Sequence, residues 1–268
     1  MQCWRFGSHM TLTLDSKRID LWCTFFGELG DEHLLCRYRA LLNDSERQQE
    51  SRFHFARDRC CYVVTRALVR TVLSRYADIA PEDWFFATSE YGRPEIANAD
   101  SCARRISINI THTKGLIMLG IAQEHALGVD AENTCARSIS LDVANRCFSH
   151  EEGAALRALC TDRQRTRLFE YWTLKESYIK ARGMGMSIPL NQFSFRFPRE
   201  DRVEISIAPG QNDMPTHWWF WQFRLRAEYL AAICAQRVCS KSPQLVLREV
   251  VPLVSECMLE HTLLRISE

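Results

Sequence analysis

The chain has 268 residues, with 34 basic against 33 acidic side chains and a formal net charge of +1. That balance excludes a broad nucleic-acid surface or a polybasic membrane patch, so any anion it binds must sit in a local pocket. The length suits one large domain or two of roughly 100–130 residues, and twelve cysteines without a single C-x-x-C pair exclude the usual zinc ligand spacing.

Scattered thiols, with Cys60 and Cys61 adjacent, read as small core residues of a protein in a reducing cytoplasm. Cys147 and His150 make only a lone C-x-x-H. Residues 1–10 show no charged-then-apolar signal pattern, and runs such as 116–122 are too short to span a bilayer. Gly7-Ser8-His9-Met10 resembles an expression-vector scar and is set aside.

In chain order, residues 19–26 read as a strand and 32–42 as a helix. Asn43 or Asp44 then caps a long helical pattern over 45–76. Arg47, Arg52, Arg57, Arg59, Arg66 and Arg70 decorate that pattern, mostly as surface side chains. Residues 84–88 read as a strand, and Tyr91-Gly92-Arg93-Pro94 as a turn. The alternation over 106–110 gives another strand, and Thr111-His112-Thr113-Lys114-Gly115 is a polar break before the apolar strand 116–122. A break of this kind can expose a histidine to a ligand or simply be a loop.

Leu127-Gly128-Val129-Asp130-Ala131-Glu132 alternates strictly, so Gly128, Asp130 and Glu132 share one face. Two carboxylates at i and i+2 lie about 7 Å apart at Cα and can converge on one cation, or can merely face water. Phe148-Ser149-His150-Glu151-Glu152 opens a helix with Ser149 as N-cap and Glu152 three residues on.

The helix at 164–182 closes on Gly183-Met184-Gly185, a glycine C-cap. Leu168, Tyr171, Trp172, Tyr178 and Ile179 form its apolar stripe, and Lys175 lies in the middle of that stripe. A lysine there either snorkels or meets a buried anion. Glu176 and Lys180, one turn apart at the edge of the stripe, have the spacing of an ordinary helix ion pair. Strands follow at 188–190, 193–197, 203–207, 218–225 and 229–235. The Trp218-Trp219-Phe220-Trp221 run reads as core. Residues 241–268 form a tail, extended over 246–254 and helical over 255–264.

A weak internal echo links the two halves. Residues 43–46, an arginine-studded helix and a strand ending Leu119-Gly120-Ile121-Ala122-Gln123 recur as 148–152, the helix 164–182 and Ala232-Ile233-Cys234-Ala235-Gln236. An offset of roughly 105–115 residues suits two similar α+β lobes (11–126 and 127–240), with the pocket at their seam.

Gly128-Val129-Asp130-Ala131-Glu132, Phe148-Ser149-His150-Glu151-Glu152 and Trp172-Thr173-Leu174-Lys175-Glu176-Ser177-Tyr178-Ile179-Lys180-Ala181-Arg182-Gly183-Met184-Gly185 together resemble the motifs of the Sfp-type 4′-phosphopantetheinyl transferases. Tyr91-Gly92-Arg93-Pro94 and Asn109-Ile110-Thr111-His112 extend the likeness upstream, so that it covers roughly residues 45–200. The chain departs from the family pattern by Arg at 93, Thr at 111 and Ala at 131.

The resemblance implies a pseudo-twofold α+β fold that binds coenzyme A between its lobes and transfers the phosphopantetheine arm to a serine of an apo acyl or peptidyl carrier protein, with Mg²⁺. By resemblance Asp130, Glu132 and Glu176 would hold the ion, Glu176 would take the serine proton, and Lys180 would stabilise the leaving phosphate. Lys175 would contact phosphates, and His112, Arg93, Thr111 and Arg52 would bind those of the nucleotide. A monomer in the cytoplasm is expected. Two other readings use the same residues: a Mg²⁺-dependent phosphoesterase with water as acceptor, and a coenzyme A or carrier-binding module without chemistry.

Overall fold

The computed structural model describes residues 4–5, 12–27, 31–136 and 147–268; Gly7-Ser8-His9-Met10 lies outside them. Period-2 hydrophobicity builds two sheets. The first has the order β1 (Trp4–Arg5), β13 (Ser255–Met258), β12 (Gln244–Val251), β2 (Arg18–Phe25), β6 (Leu116–Gln123), β5 (Ile106–Thr113). The second runs β14 (His261–Ile266), β10 (Trp218–Leu225), β11 (Tyr229–Gln236), β7 (Leu127–Asn133). Hairpins β3 (Phe86–Thr88)–β4 (Pro94–Ile96) and β8 (Phe193–Arg196)–β9 (Glu204–Ile207) stand apart.

Strand alternation sends side chains to both faces of each sheet, and three cores result. Leu21, Cys23, Met118, Val129, Trp221 and Ile233 meet between the two sheets. Trp22, Leu119 and Ile108, on the opposite face of the first sheet, pack against α1 (Glu32–Ala40) and α3 (Ala56–Leu73). Phe220, Ala232 and Cys234 do the same for the second sheet against α4 (His150–Arg157) and α5 (Thr161–Arg182). The order is helix, sheet, sheet, helix, which is an α+β fold of two like halves.

The halves repeat in detail. Asn43 caps α2 (Asp44–Arg52) in a capping box with Glu46, and Ser149 caps α4 in a capping box with Glu152. Each glutamate spends its carboxylate twice. Glu46 also receives Arg70 of α3 at 2.7 Å; Glu152 receives Lys175 of α5 at 2.8 Å. Both cations are fully buried. A buried charge persists only when paired, so these two pairs are equivalent pins between a short helix and the long one after it. They set both helices on their sheets.

Four local expectations change, the smallest being 188–190, which is no strand because Leu190 opens a short 3₁₀ turn. The pattern over 45–76 is two helices, because α2 ends at Arg52 and extended backbone at Phe53 and Phe55 turns the chain before α3. Residues 111–113 are no loop: β5 runs to Thr113 and the turn falls at Lys114-Gly115. The stretch 255–264 is strand, not helix, and 241–268 is no separate tail. β12 pairs in parallel with β2, and β14 pairs with β10, so the last residues join both sheets. β13 is a near neighbour of β12, but the pairings that bind this segment to the sheets, β12 with β2 and β14 with β10, join residues more than 30 apart, which local propensity does not report.

Candidate active site

The free edges of the two sheets, β5 and β7, lie side by side, tied through side chains. The Val129 N–H donates to Asn109 Oδ1 at 2.9 Å and the Asn133 N–H to Thr113 Oγ1 at 3.1 Å. Thr111 Oγ1 donates to Asp130 Oδ1 at 3.1 Å, and Thr113 Oγ1 to Glu132 at 3.4 Å. Asn109, Thr111 and Thr113 are alternate residues of one strand, so strand geometry aims all three at β7. Asp130 and Glu132 are buried on the seam they bridge.

Helix α5 closes over this seam because position 128 has no side chain. A Cβ on Gly128 would stand 1.9 Å from the Ser177 carbonyl oxygen and 2.4 Å from the Ala181 nitrogen, so only glycine allows helix and strand to touch backbone to backbone. The contact sets Lys180 over β7. Its ammonium donates to Asp130 Oδ1 at 2.6 Å, Thr111 Oγ1 at 3.0 Å and the Val129 carbonyl at 3.1 Å. Glu176, one turn earlier, lines the same cleft of about 360 Å³, together with Thr111, His112, Asp130, Glu132, Trp172 and Lys180. Gly183, left-handed at φ 67°, ends the helix just beyond.

His112 stands at the cleft rim. Desolvation of its ring, and then the Lys180 ammonium, hold the imidazole below its usual range, so it is neutral near pH 7 until an anion arrives. It also borders a larger apolar cavity of about 740 Å³ with Phe53, Tyr62, Arg57 and Lys114. A third cavity of about 240 Å³, lined by Tyr91, Arg93, Pro94, Ile108, Ile179 and Gly183, shares Glu176 and Lys180 with the cleft. Ile110 borders all three cavities.

Six of the nine expected residues therefore line one cleft: Thr111, His112, Asp130, Glu132, Glu176 and Lys180. Arg93 lies beside it, its guanidinium donating to the Ile108 carbonyl at 2.7 Å. Two residues depart from expectation. Arg52, at the exposed end of α2, donates to Gln49 at 3.4 Å and borders none of these cavities. Lys175, expected on phosphate, is sealed away. Its ammonium holds Glu152 at 2.8 Å and the carbonyls of Leu190 and Phe193 at 2.7 Å each, over the Phe193 ring. The mid-stripe lysine thus meets a buried anion, and that anion is Glu152. Sequence reading gave Thr113 no role and set Arg57 among the surface arginines, whereas Thr113 bridges the seam and Arg57 borders the larger cavity; the alternation Asn109, Thr111, Thr113 is the signal that finds the first.

Three carboxylates in one cleft form a hard oxygen donor set suited to Mg²⁺, which keeps part of its coordination for phosphate and water. Among the described residues, however, no three or more His, Cys, Asp or Glu side chains stand close enough together to form a metal site by themselves.

Acids, a lysine and a histidine thus share one cleft between two like α+β halves, a set of groups that suits phosphate-bearing substrates. Sequence comparison narrows this. Residues 31–124 match the profile described as 4′-phosphopantetheinyl transferase, N-terminal, and 126–234 that of the 4′-phosphopantetheinyl transferase superfamily. The 4′-phosphopantetheinyl transferase Sfp of Bacillus subtilis is 30% identical over 199 residues, which cover 74% of this chain and 84% of that protein. HetI, a 4′-phosphopantetheinyl transferase of a Nostoc species, is 26% identical over 75% of this chain and 78% of its own length. A holo-[acyl-carrier-protein] synthase structure from Thermotoga maritima aligns with TM-score 0.33 at 15% identity, over 42% of this chain and 62% of that one. The chain belongs to the 4′-phosphopantetheinyl transferase superfamily.

Proposed function

We propose that the protein transfers the 4′-phosphopantetheine arm of coenzyme A to a serine of an apo acyl or peptidyl carrier protein, with Mg²⁺, releasing adenosine 3′,5′-bisphosphate. The observation that carries this reading is the meeting of Asp130, Glu132, Glu176 and Lys180, from two distant segments, in one cleft. Asp130, Glu132 and Glu176 would hold the ion. When bound, it supplies neutralisation of diphosphate charge.

Glu176 accepts the proton of the incoming serine hydroxyl, directly or through water, as the serine oxygen bonds to the pantetheine-bearing phosphorus. The bond from that phosphorus to the bridging oxygen breaks, and Lys180 stabilises or protonates the oxygen that leaves on the adenosine bisphosphate. Thr111 and His112, at the rim, contact the phosphates, with Arg93 beside them. The cavities that meet the cleft at Ile110 offer apolar walls with Tyr62 and Tyr91 for the adenosine. A cytoplasmic monomer fits this reading, and among the described residues no helix is long and apolar enough to cross a membrane.

Incubation with coenzyme A, Mg²⁺ and apo carrier should add the mass of one phosphopantetheine arm to the carrier, and EDTA should stop it. Asp130→Ala and Glu176→Ala should lose at least about a hundredfold in rate while remaining folded. Adenosine bisphosphate released without carrier would instead show hydrolysis. Equal carrier modification by Glu176→Ala and the parent would remove the catalytic assignment.

A further inference from the structure

The Lys180 ammonium does more in this geometry than wait for a leaving group. It sits 2.6 Å from Asp130 Oδ1, held there also by Thr111 Oγ1 and the Val129 carbonyl. The carboxylate proposed to hold the metal therefore already carries a fixed cation on one of its oxygens. A divalent ion arriving at Asp130 must displace the ammonium, or bind against its charge at close range. Lys180 is only partly exposed, at 27%, so the displaced ammonium needs another anion inside the cleft.

The formal charges show what that anion is. Asp130, Glu132 and Glu176 contribute three negative charges to the cleft walls, and Lys180 contributes one positive charge. A bare diphosphate entering this cleft meets an excess of negative charge. An ion entering alone meets a tethered competing cation at Asp130. An ion and a diphosphate entering together remove both obstacles, because the diphosphate completes the ion's coordination and takes over the ammonium.

We infer that Lys180 is a built-in counter-cation on Asp130, so that the divalent ion loads together with the diphosphate of coenzyme A and not before it. The inference rests on the proposed reading of the metal site and adds an order of binding to it. Linkage makes the coupling reciprocal: metal and coenzyme A tighten each other by the same factor.

The test is direct metal binding, with Mn²⁺ as the paramagnetic probe and free Mn²⁺ read by EPR, without carrier protein. In the parent, Mn²⁺ should bind weakly alone and at least about tenfold more tightly with saturating coenzyme A. Lys180→Met, which keeps most of the stem and removes the charge, should bind Mn²⁺ alone about tenfold more tightly than the parent. The tightening by coenzyme A should shrink correspondingly. Lys180→Gln serves as a second variant, with thermal melting to confirm that each is folded. Asp130→Asn should bind weakly with Lys180 present or replaced.

Equal or weaker Mn²⁺ binding by folded Lys180→Met and Lys180→Gln overturns the counter-cation role while leaving the metal site standing. Failure of every form, the parent with coenzyme A included, to bind Mn²⁺ overturns the metal site and the inference together. Tighter binding by the lysine variants in the face of lost transfer separates the two roles of Lys180.

Discussion

Gly128→Ala isolates the contact on which the site depends. The added methyl carbon would lie 1.9 Å from the Ser177 carbonyl oxygen and 2.4 Å from the Ala181 nitrogen, both backbone atoms of α5. Ordinary contact needs about 3.4 Å or more, so strand and helix must separate by on the order of 1 Å. Overpacking of this kind costs about 1–3 kcal/mol, a fall in Tm of roughly 3–10 °C for a chain this size. The larger effect falls on chemistry. α5 carries Glu176 and Lys180, β7 carries Asp130 and Glu132, and a displacement of about 1 Å between reacting groups costs on the order of a hundredfold. kcat/KM for carrier modification, measured well below Tm where the variant is folded, should fall by that factor. Gly153→Ala is the control. There the methyl meets only the mobile end of Arg157 at 3.2 Å, and alanine inside a helix should be neutral or stabilising. A Gly128→Ala protein with parental Tm and parental kcat/KM would refute the close-contact reasoning.

Two further outcomes follow from the same geometry. Lys175→Met leaves Glu152 buried without its cation and should cost about 3–5 kcal/mol. Tm should fall, while KM for coenzyme A in the folded fraction should stay at the parental value; a large rise in KM with unchanged Tm would return Lys175 to the phosphates. Asp213 supplies a pH test. Burial pushes its carboxyl up, but hydrogen bonds from Tyr178, His217, Trp218 and the Met214 N–H outweigh that and hold it below 3.8. A carboxyl lowered on folding stabilises the protein above its unfolded pKa, and that stability is lost as pH falls through the folded value. The Tm of the parent should therefore decline below about pH 4 more steeply than that of Asp213→Asn, and parallel curves would remove Asp213 as a source of acid lability.

What could be read from the chain beforehand was what local pattern encodes. The strict alternation at 127–132 set Asp130 and Glu132 on one face, and β7 keeps that arrangement. The glycine at 183 ended α5 as a C-cap, with its N–H on the carbonyls of Ile179 and Lys180. The internal echo corresponds to two capping boxes and two buried pins. Legibility failed where a partner lies far along the chain. Lys175 announced a buried anion, but nothing local said whether that anion was a substrate phosphate or Glu152. Arg52 shares its residue type with the arginines near it, and only the bend at Phe53–Phe55 decides which of them reach a cavity. The strands after 241 depend on edges supplied by β2 and β10.

Those edges also explain why, among the described residues, the cleft opens at one seam and not at its counterpart. In the repeat, β2–β6–β5 corresponds to β7–β11–β10, each a central strand flanked by a hairpin partner and an earlier strand. The seam between β5 and β7 then has a counterpart between β10 and β2. That counterpart is closed: β12 pairs along β2, and β14 along β10. Aligning the two central strands by their shared endings, Gln123 with Gln236, puts Trp22 and Thr24 where the second lobe has Asp130 and Glu132. Trp22 donates to Tyr76 and Thr24 to the Val250 carbonyl of β12, so side chains at the two acidic positions have become packing and a latch for the last strands. The open seam keeps its edges unpaired by backbone and bridged by side chains, the condition for charged groups to face a ligand there; the closed seam satisfies its edges with strands and supplies rigidity instead.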